Sequence, residues 1–200
     1  MEFDAFILIG GRSSRFGSDK ALADLGSGTL AENAARLLGE IPGCRNVTFV
    51  AANETQFAGA EMPFNVIADK NPGFGAWSGF QTALAASKRE MTFILACDLP
   101  LVSGDLLKRL VNAASDGNAV AAVPLQPDGR VQPLCGIYRT IPVLKAVEET
   151  IDRAEHLPSL ISFVRELGST IVGPSGNTSS HEFLNVNTRE DLEKAKFLRS

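Results

Sequence analysis

Short, continuous apolar runs alternate along this chain with stretches whose apolar residues recur every three or four positions. Residues 6–9 (FILI), 47–52 (VTFVAA), 64–68 (FNVIA), 91–97 (MTFILAC) and 119–124 (AVAAVP) are runs of the first kind. Runs so short and so apolar read as strands covered on both faces. Between them, Thr29 and Glu32 stand at capping-box spacing ahead of Leu30, Ala34, Leu37, Leu38 and Ile41, which predicts a helix ended by Pro42 and Gly43. Ser78 with Gln81 predicts the cap of a second helix running to about Arg89. Ser103 opens a third, whose Leu107, Leu110, Val111 and Ala114 share one face.

Further on the alternation loosens. An exposed turn is expected at 126–130, a strand at 134–138, helices at 142–153 and 159–167, and short strands at 170–173 and 183–185. Thr188 with Asp191 caps the last helix, and 174–180 is the best candidate for a mobile loop. There is no internal repeat or low-complexity tract. Repeated strand–helix alternation predicts one domain over residues 1–200, a three-layer α/β sandwich with a mainly parallel sheet. Ligands of such sheets bind beyond the carboxyl ends of the strands. Arg15, Lys20, Asn53, Asp69 and Asp98 all close apolar runs and so fall at those ends.

The first of these ends is the richest. Residues 6–9 break at Gly10 and Gly11 into a segment where Arg12, Arg15 and Lys20 gather beside Ser13, Ser14 and Gly17. Glycines that expose backbone N–H groups, together with cations, suit a phosphate chain. Neither common phosphate motif is present: Lys20 precedes Ala21 rather than Ser or Thr, and the glycines do not space as G-x-G-x-x-G. The plainer reading is a glycine-rich turn with solvated arginines. Asp98, after the longest apolar run, is the natural ligand for Mg²⁺ beside bound phosphate, or else a turn aspartate ahead of Pro100. Asn53 can serve as a strand-end cap and Asp69 can pair with Lys70 in solvent. Asn185 and Asn187 alternate along an extended segment, where one can face the cleft while the other pairs locally. Trp77 suits core packing or base stacking. His156 and His181 take no role.

Composition narrows the partners. With 44% hydrophobic residues, 21% charged residues, a net charge of −4 and a pI near 5.3, the chain offers no nucleic-acid or anionic-membrane surface, so positive charge matters only locally. No apolar stretch approaches the ~20 residues of a membrane helix, and the acids at Glu2 and Asp4 flank a run too short for a signal peptide. A soluble, cytoplasmic protein is expected. Cys44, Cys97 and Cys135 lack metal-ligand spacing and are expected to be reduced, buried packing residues.

The segment LIGGRSSRFGSDK resembles the nucleotidyltransferase signature L-x-G-G-x-x-x-R-(M/F)-G-x-x-K, and ACDLP, QPLCGIY and NVNTREDL resemble that family's later blocks in the same order. Within it the chain is most similar to the molybdenum cofactor guanylyltransferases, over nearly its whole length. The resemblance implies a Rossmann-like sheet of the nucleotide-diphospho-sugar transferase type. It also implies transfer of GMP from GTP to molybdopterin, with Mg²⁺ and release of pyrophosphate. By it, Leu8, Ile9, Gly10, Gly11, Lys20, Asn53, Asp69 and Asp98 would bind the nucleotide. Arg15, Lys20 and Asp98 would be catalytic, with Asp98 on the metal, and Asn185 and Asn187 would lie at the acceptor end. Family members often form dimers or larger assemblies, so homo-oligomers and transient contact with molybdenum cofactor biosynthesis or acceptor proteins are the implied protein partners. The double glycine and the Asp19-Lys20 pair look more like the guanylyl than the cytidylyl branch. Three features depart from the pattern: Ile9 stands where alanine is usual, residues 75–79 (GAWSG) replace Gly-Pro-Leu-x-Gly, and Arg189 replaces the proline after Asn-Thr. Two other readings stay open: a transferase using CTP, UTP or another phosphate acceptor, and a non-catalytic nucleotide-binding partner.

Overall fold

The computed structural model describes residues 1–10, 16, 19–54, 56, 64–69, 73–116, 119–175 and 181–199. Seven strands form one sheet: β1 (Phe3–Leu8), β2 (Cys44–Ala51), β3 (Asn65–Ala68), β4 (Met91–Ala96), β5 (Ala121–Pro124), β6 (Cys135–Arg139) and β7 (Thr170–Val172). Their order is β3-β2-β1-β4-β6-β5-β7, and every neighbouring pair is parallel except the two that β6 makes, with β4 and with β5. The mainly parallel sheet is as expected. Helices α1 (Leu30–Gly39), α2 (Ala76–Ala86), α3 (Gly104–Ser115), α4 (Thr140–Arg153), α5 (Leu160–Glu166) and α6 (Arg189–Arg199) cover it.

Burial on both faces produces the apolar runs. Every residue of β1 is buried, and its side chains alternate between two cores. Phe3, Ala5 and Ile7 join Leu38 of α1 and Leu107 and Leu110 of α3. Phe6 and Leu8 join Phe80 of α2, Val147 of α4 and Phe163 of α5. The strand begins three residues before the predicted 6–9 run because Asp4 interrupts the apolar pattern while staying in the sheet. Its Oδ1 accepts from Asn46 Nδ2 at 2.8 Å and its Oδ2 from the Lys88 N–H at 2.9 Å, which offsets the cost of burying a carboxylate.

The caps at Thr29, Ser103 and Thr188 form as predicted. Thr29 Oγ1 accepts the Glu32 N–H at 3.2 Å while Glu32 Oε2 accepts the Thr29 N–H at 2.7 Å. The cap at Ser78 does not form. Helix α2 starts at Ala76 behind Gly75, whose φ of 61° is open to glycine, and Ser78 is buried inside the helix. That helix also stops at Ala86, short of Arg89. Residues 183–185 form no strand: Val186 N–H donates to Asp98 O at 2.9 Å, and a single bond builds no ladder. Most of the 174–180 loop lies outside the described residues. Trp77 is core: it is 5% exposed, its Nε1 donates to Pro158 O at 2.9 Å, and its ring meets Phe163 edge-on with centroids 4.8 Å apart.

Candidate active site

Parallel neighbours put the carboxyl ends of β1, β2, β3 and β4 side by side, and the polar residues after them converge there. Past β1, the Ile9 and Gly10 N–H groups both donate to Val50 O, at 3.0 and 3.1 Å. The chain is drawn so close to β2 that a Cβ on Gly10 would lie 2.7 Å from Ala52 N. Leu8 and Ile9 are buried on opposite faces of the sheet, Leu8 in the core with Phe80 and Ile9 in the core with Leu38. Gly11 and Arg15 lie outside the described residues. At Asp19 the chain enters a single 3-10 turn, Lys20–Leu22, capped by Asp19 Oδ1, which accepts the Ala21 N–H at 3.2 Å.

Lys20 reaches across the sheet end. Its Nζ is 2.6 Å from Asp98 Oδ2 and 3.3 Å from Asn187 Oδ1, and the two charged side chains are 16% and 21% exposed. Three residues from the beginning, middle and end of the chain thus meet. Asn187 is held there by its surroundings: the Val186 N–H is bonded to Asp98 O, and the Asn187 and Thr188 N–H groups both donate to Asp191 Oδ2, at 3.0 and 2.9 Å. Burial raises the Asp191 carboxyl, but these bonds and the Thr188 hydroxyl outweigh it and hold the group below the usual carboxylate range. Asp191 therefore stays ionised and keeps the segment anchored.

The remaining candidates are spread around this cluster. Asn53 Oδ1, beyond β2, accepts the Gln56 N–H at 2.9 Å. Asp69, beyond β3, donates its N–H to Ala51 O at 2.9 Å and accepts from Thr82 Oγ1 at 3.1 Å. Asn185 is exposed and bonds locally, its Nδ2 donating to Phe183 O at 3.4 Å. Two residues without a sequence signal also join the ends of elements here. Gln56 binds Ala52, Ile9 and Asp19, and the buried Glu182 accepts from Ser103 at the start of α3.

The cysteines are free thiols. Burial, and after it the neighbouring Asp98, pushes the Cys97 thiol far up, so it stays protonated at neutral pH. A cavity of about 260 Å³ lies beside this region, between Leu37 of α1, Leu198 of α6 and Leu99–Val102, and Lys20, Asp98 and Asn187 do not line it. Among the described residues no group of three or more His, Cys, Asp or Glu side chains is set to hold a metal.

This sheet with its polar carboxyl end has the architecture of the nucleotidyltransferases. A solved structure from Archaeoglobus fulgidus, described as molybdopterin-guanine dinucleotide biosynthesis protein A, superimposes with a TM-score of 0.78 at 20% identity, covering 98% of each chain. The 2-C-methyl-D-erythritol 4-phosphate cytidylyltransferase of Thermus thermophilus shares the fold with a TM-score of 0.70 at 21% identity, covering 99% of this chain and 98% of its own. The chain belongs to the MobA-like NTP transferase domain family, which it matches over residues 5–167. A relative from Carboxydothermus hydrogenoformans, named a probable molybdenum cofactor guanylyltransferase, is 32% identical over 94% of this chain and 92% of its own.

Proposed function

We propose that this protein transfers GMP from GTP to molybdopterin, forming molybdopterin guanine dinucleotide and releasing pyrophosphate, and that it does so as one domain over residues 1–200. The observation that carries this reading is the meeting of Lys20, Asp98 and Asn187 at the carboxyl end of the sheet in a chain of this family. The terminal phosphate of molybdopterin attacks the α-phosphorus of GTP in line. The bond to the α–β bridging oxygen breaks, and pyrophosphate leaves with the electron pair. No covalent enzyme intermediate is needed.

In this reading Leu8, Ile9, Gly10 and Gly11 bind the nucleotide, with Asn53 and Asp69 also on it. Arg15 and Lys20 neutralise the departing pyrophosphate, and Asn185 and Asn187 lie at the acceptor end. Asp98 is the ligand for Mg²⁺. The support for that ion is the donor set: a carboxylate oxygen and an amide oxygen already face one cation, the Lys20 ammonium, and hard oxygen donors suit Mg²⁺. When bound, Mg²⁺ supplies charge neutralisation across the phosphate oxygens. A cytoplasmic enzyme that forms homo-oligomers and meets proteins of molybdenum cofactor biosynthesis fits this role. No helix among the described residues is long and apolar enough to cross a membrane.

The test is pyrophosphate release from Mg²⁺ and each nucleoside triphosphate, with and without molybdopterin. Release confined to GTP plus molybdopterin, and lost in a folded Asp98→Ala protein, is expected. Release with CTP or UTP would reassign the base, a live comparison because a cytidylyltransferase shares the fold. No release with an intact acceptor would overturn the transferase reading.

A further inference from the structure

One amide side chain joins the segments that build the nucleotide end of the cleft. Gln56 Oε1 accepts the Ala52 N–H at 2.6 Å, just past β2. Its Nε2 donates to Ile9 O at 3.3 Å, just past β1, and to Asp19 Oδ2 at 2.7 Å. The amide has one workable orientation: the Ala52 N–H needs an acceptor, while the Ile9 carbonyl and the Asp19 carboxylate need a donor. Asp19 in turn has its other oxygen on the Ala21 N–H at 3.2 Å. Both of its oxygens are therefore engaged, and the next residue is Lys20, whose ammonium meets Asp98 at 2.6 Å.

We infer that Gln56 is a positioning residue for the transfer reaction: by tying Asp19 to the ends of β1 and β2, it sets where Lys20 delivers its charge. The inference rests on the nucleotidyl-transfer reading of this cleft. The backbone of a 3-10 turn of three residues fixes little by itself, so the direction in which Lys20 leaves it depends on what anchors Asp19. Charge stabilisation is steep in distance, and a shift of about 1 Å in such a group costs on the order of 100-fold in rate. Gln56 acts through Lys20.

Gln56→Glu keeps the length and the acceptor for Ala52, but sets an oxygen against Ile9 O and the Asp19 carboxylate. It is expected to lower kcat for pyrophosphate release by about tenfold to 100-fold, with a smaller rise in KM. In a Lys20→Met background the same change should alter the rate, and the affinity for a non-reacting GTP analogue, by less than about twofold, because residues that act through one another are not additive. The affinity reports even where Lys20→Met is too slow to time. Gln56→Met, of similar length and without polar atoms, replaces Gln56→Glu should that variant not fold. A folded Gln56 variant at the wild-type rate would overturn the inference, and so would a loss undiminished in the Lys20→Met background. Wild-type protein that releases no pyrophosphate would overturn the transferase reading itself, and this inference with it.

Discussion

Lys20 and Asp98 close on one another at 2.6 Å across the end of the sheet, while Asn187 Oδ1 faces the same ammonium at 3.3 Å. A divalent cation held by Asp98, as proposed, would draw on the same oxygens, and the ammonium would compete with it for the charge of Asp98. Lys20→Met is expected to bind Mn²⁺ several-fold more tightly than wild type in the absence of nucleotide, read by paramagnetic resonance titration. Its pyrophosphate release should fall by roughly 100-fold. Unchanged Mn²⁺ affinity would show that the ion binds away from Asp98.

Arg15→Ala tests the second cation of the glycine segment. By analogy with loss of one preorganised donor, its rate of pyrophosphate release should drop by roughly 100-fold or more. A folded variant at the wild-type rate would remove Arg15 from the chemistry.

Gly10 is required by closeness of approach. An added Cβ would sit 2.7 Å from Ala52 N and 3.0 Å from Ala52 Cα, and backbone cannot swing aside as a side chain can. Gly10→Ala should cost about 1–3 kcal/mol in denaturant unfolding, the usual range for overpacking, and weaken binding of a GTP analogue. Wild-type stability would mean that β1 and β2 separate freely at this end.

Glu182 is 3% exposed; one oxygen accepts from both the N–H and the hydroxyl of Ser103, and Oε2 has no hydrogen-bond partner among the described residues. Glu182→Leu strands the Ser103 donors and should destabilise by about 1–3 kcal/mol, whereas Glu182→Gln keeps the acceptor and should stay within about 1 kcal/mol of wild type. Equal stability of the Leu variant and wild type would dismiss the bond to Ser103.

The thiols set an alkaline limit. Burial, with Asp4 adding to it, lifts Cys44 from its ordinary 9.0 to about 11, and burial pushes Cys97 and Cys135 up further. The folded protein therefore keeps protons that the unfolded chain releases. Stability is fully present below pH 9.0 and declines as pH rises through about 11. The urea midpoint should fall across that window, and iodoacetamide at about pH 8 should modify native protein far more slowly than unfolded protein. A midpoint that does not move would contradict the burial of these thiols.

Much of this molecule is written locally. The apolar runs around Ile7 and Ile94, the capping boxes at Thr29 and Thr188, and the polar residues closing each run depend on neighbours a few positions away. From them follow the layers, the mainly parallel sheet and the end of the sheet where a ligand would lie. Tertiary contact decided the rest. Asp4 belongs to β1 because Asn46 and the Lys88 N–H meet it, and β6 runs against its neighbours because of how it is seated between β4 and β5. Lys20, Asp98 and Asn187 become one cluster, and Gln56 and Glu182 become anchors, through bonds between residues far apart in the chain. Periodicity and capping report which face of an element is buried and where it starts. The partner of a polar side chain depends on which loops the packed sheet brings within about 3 Å, and no local pattern carries that distance.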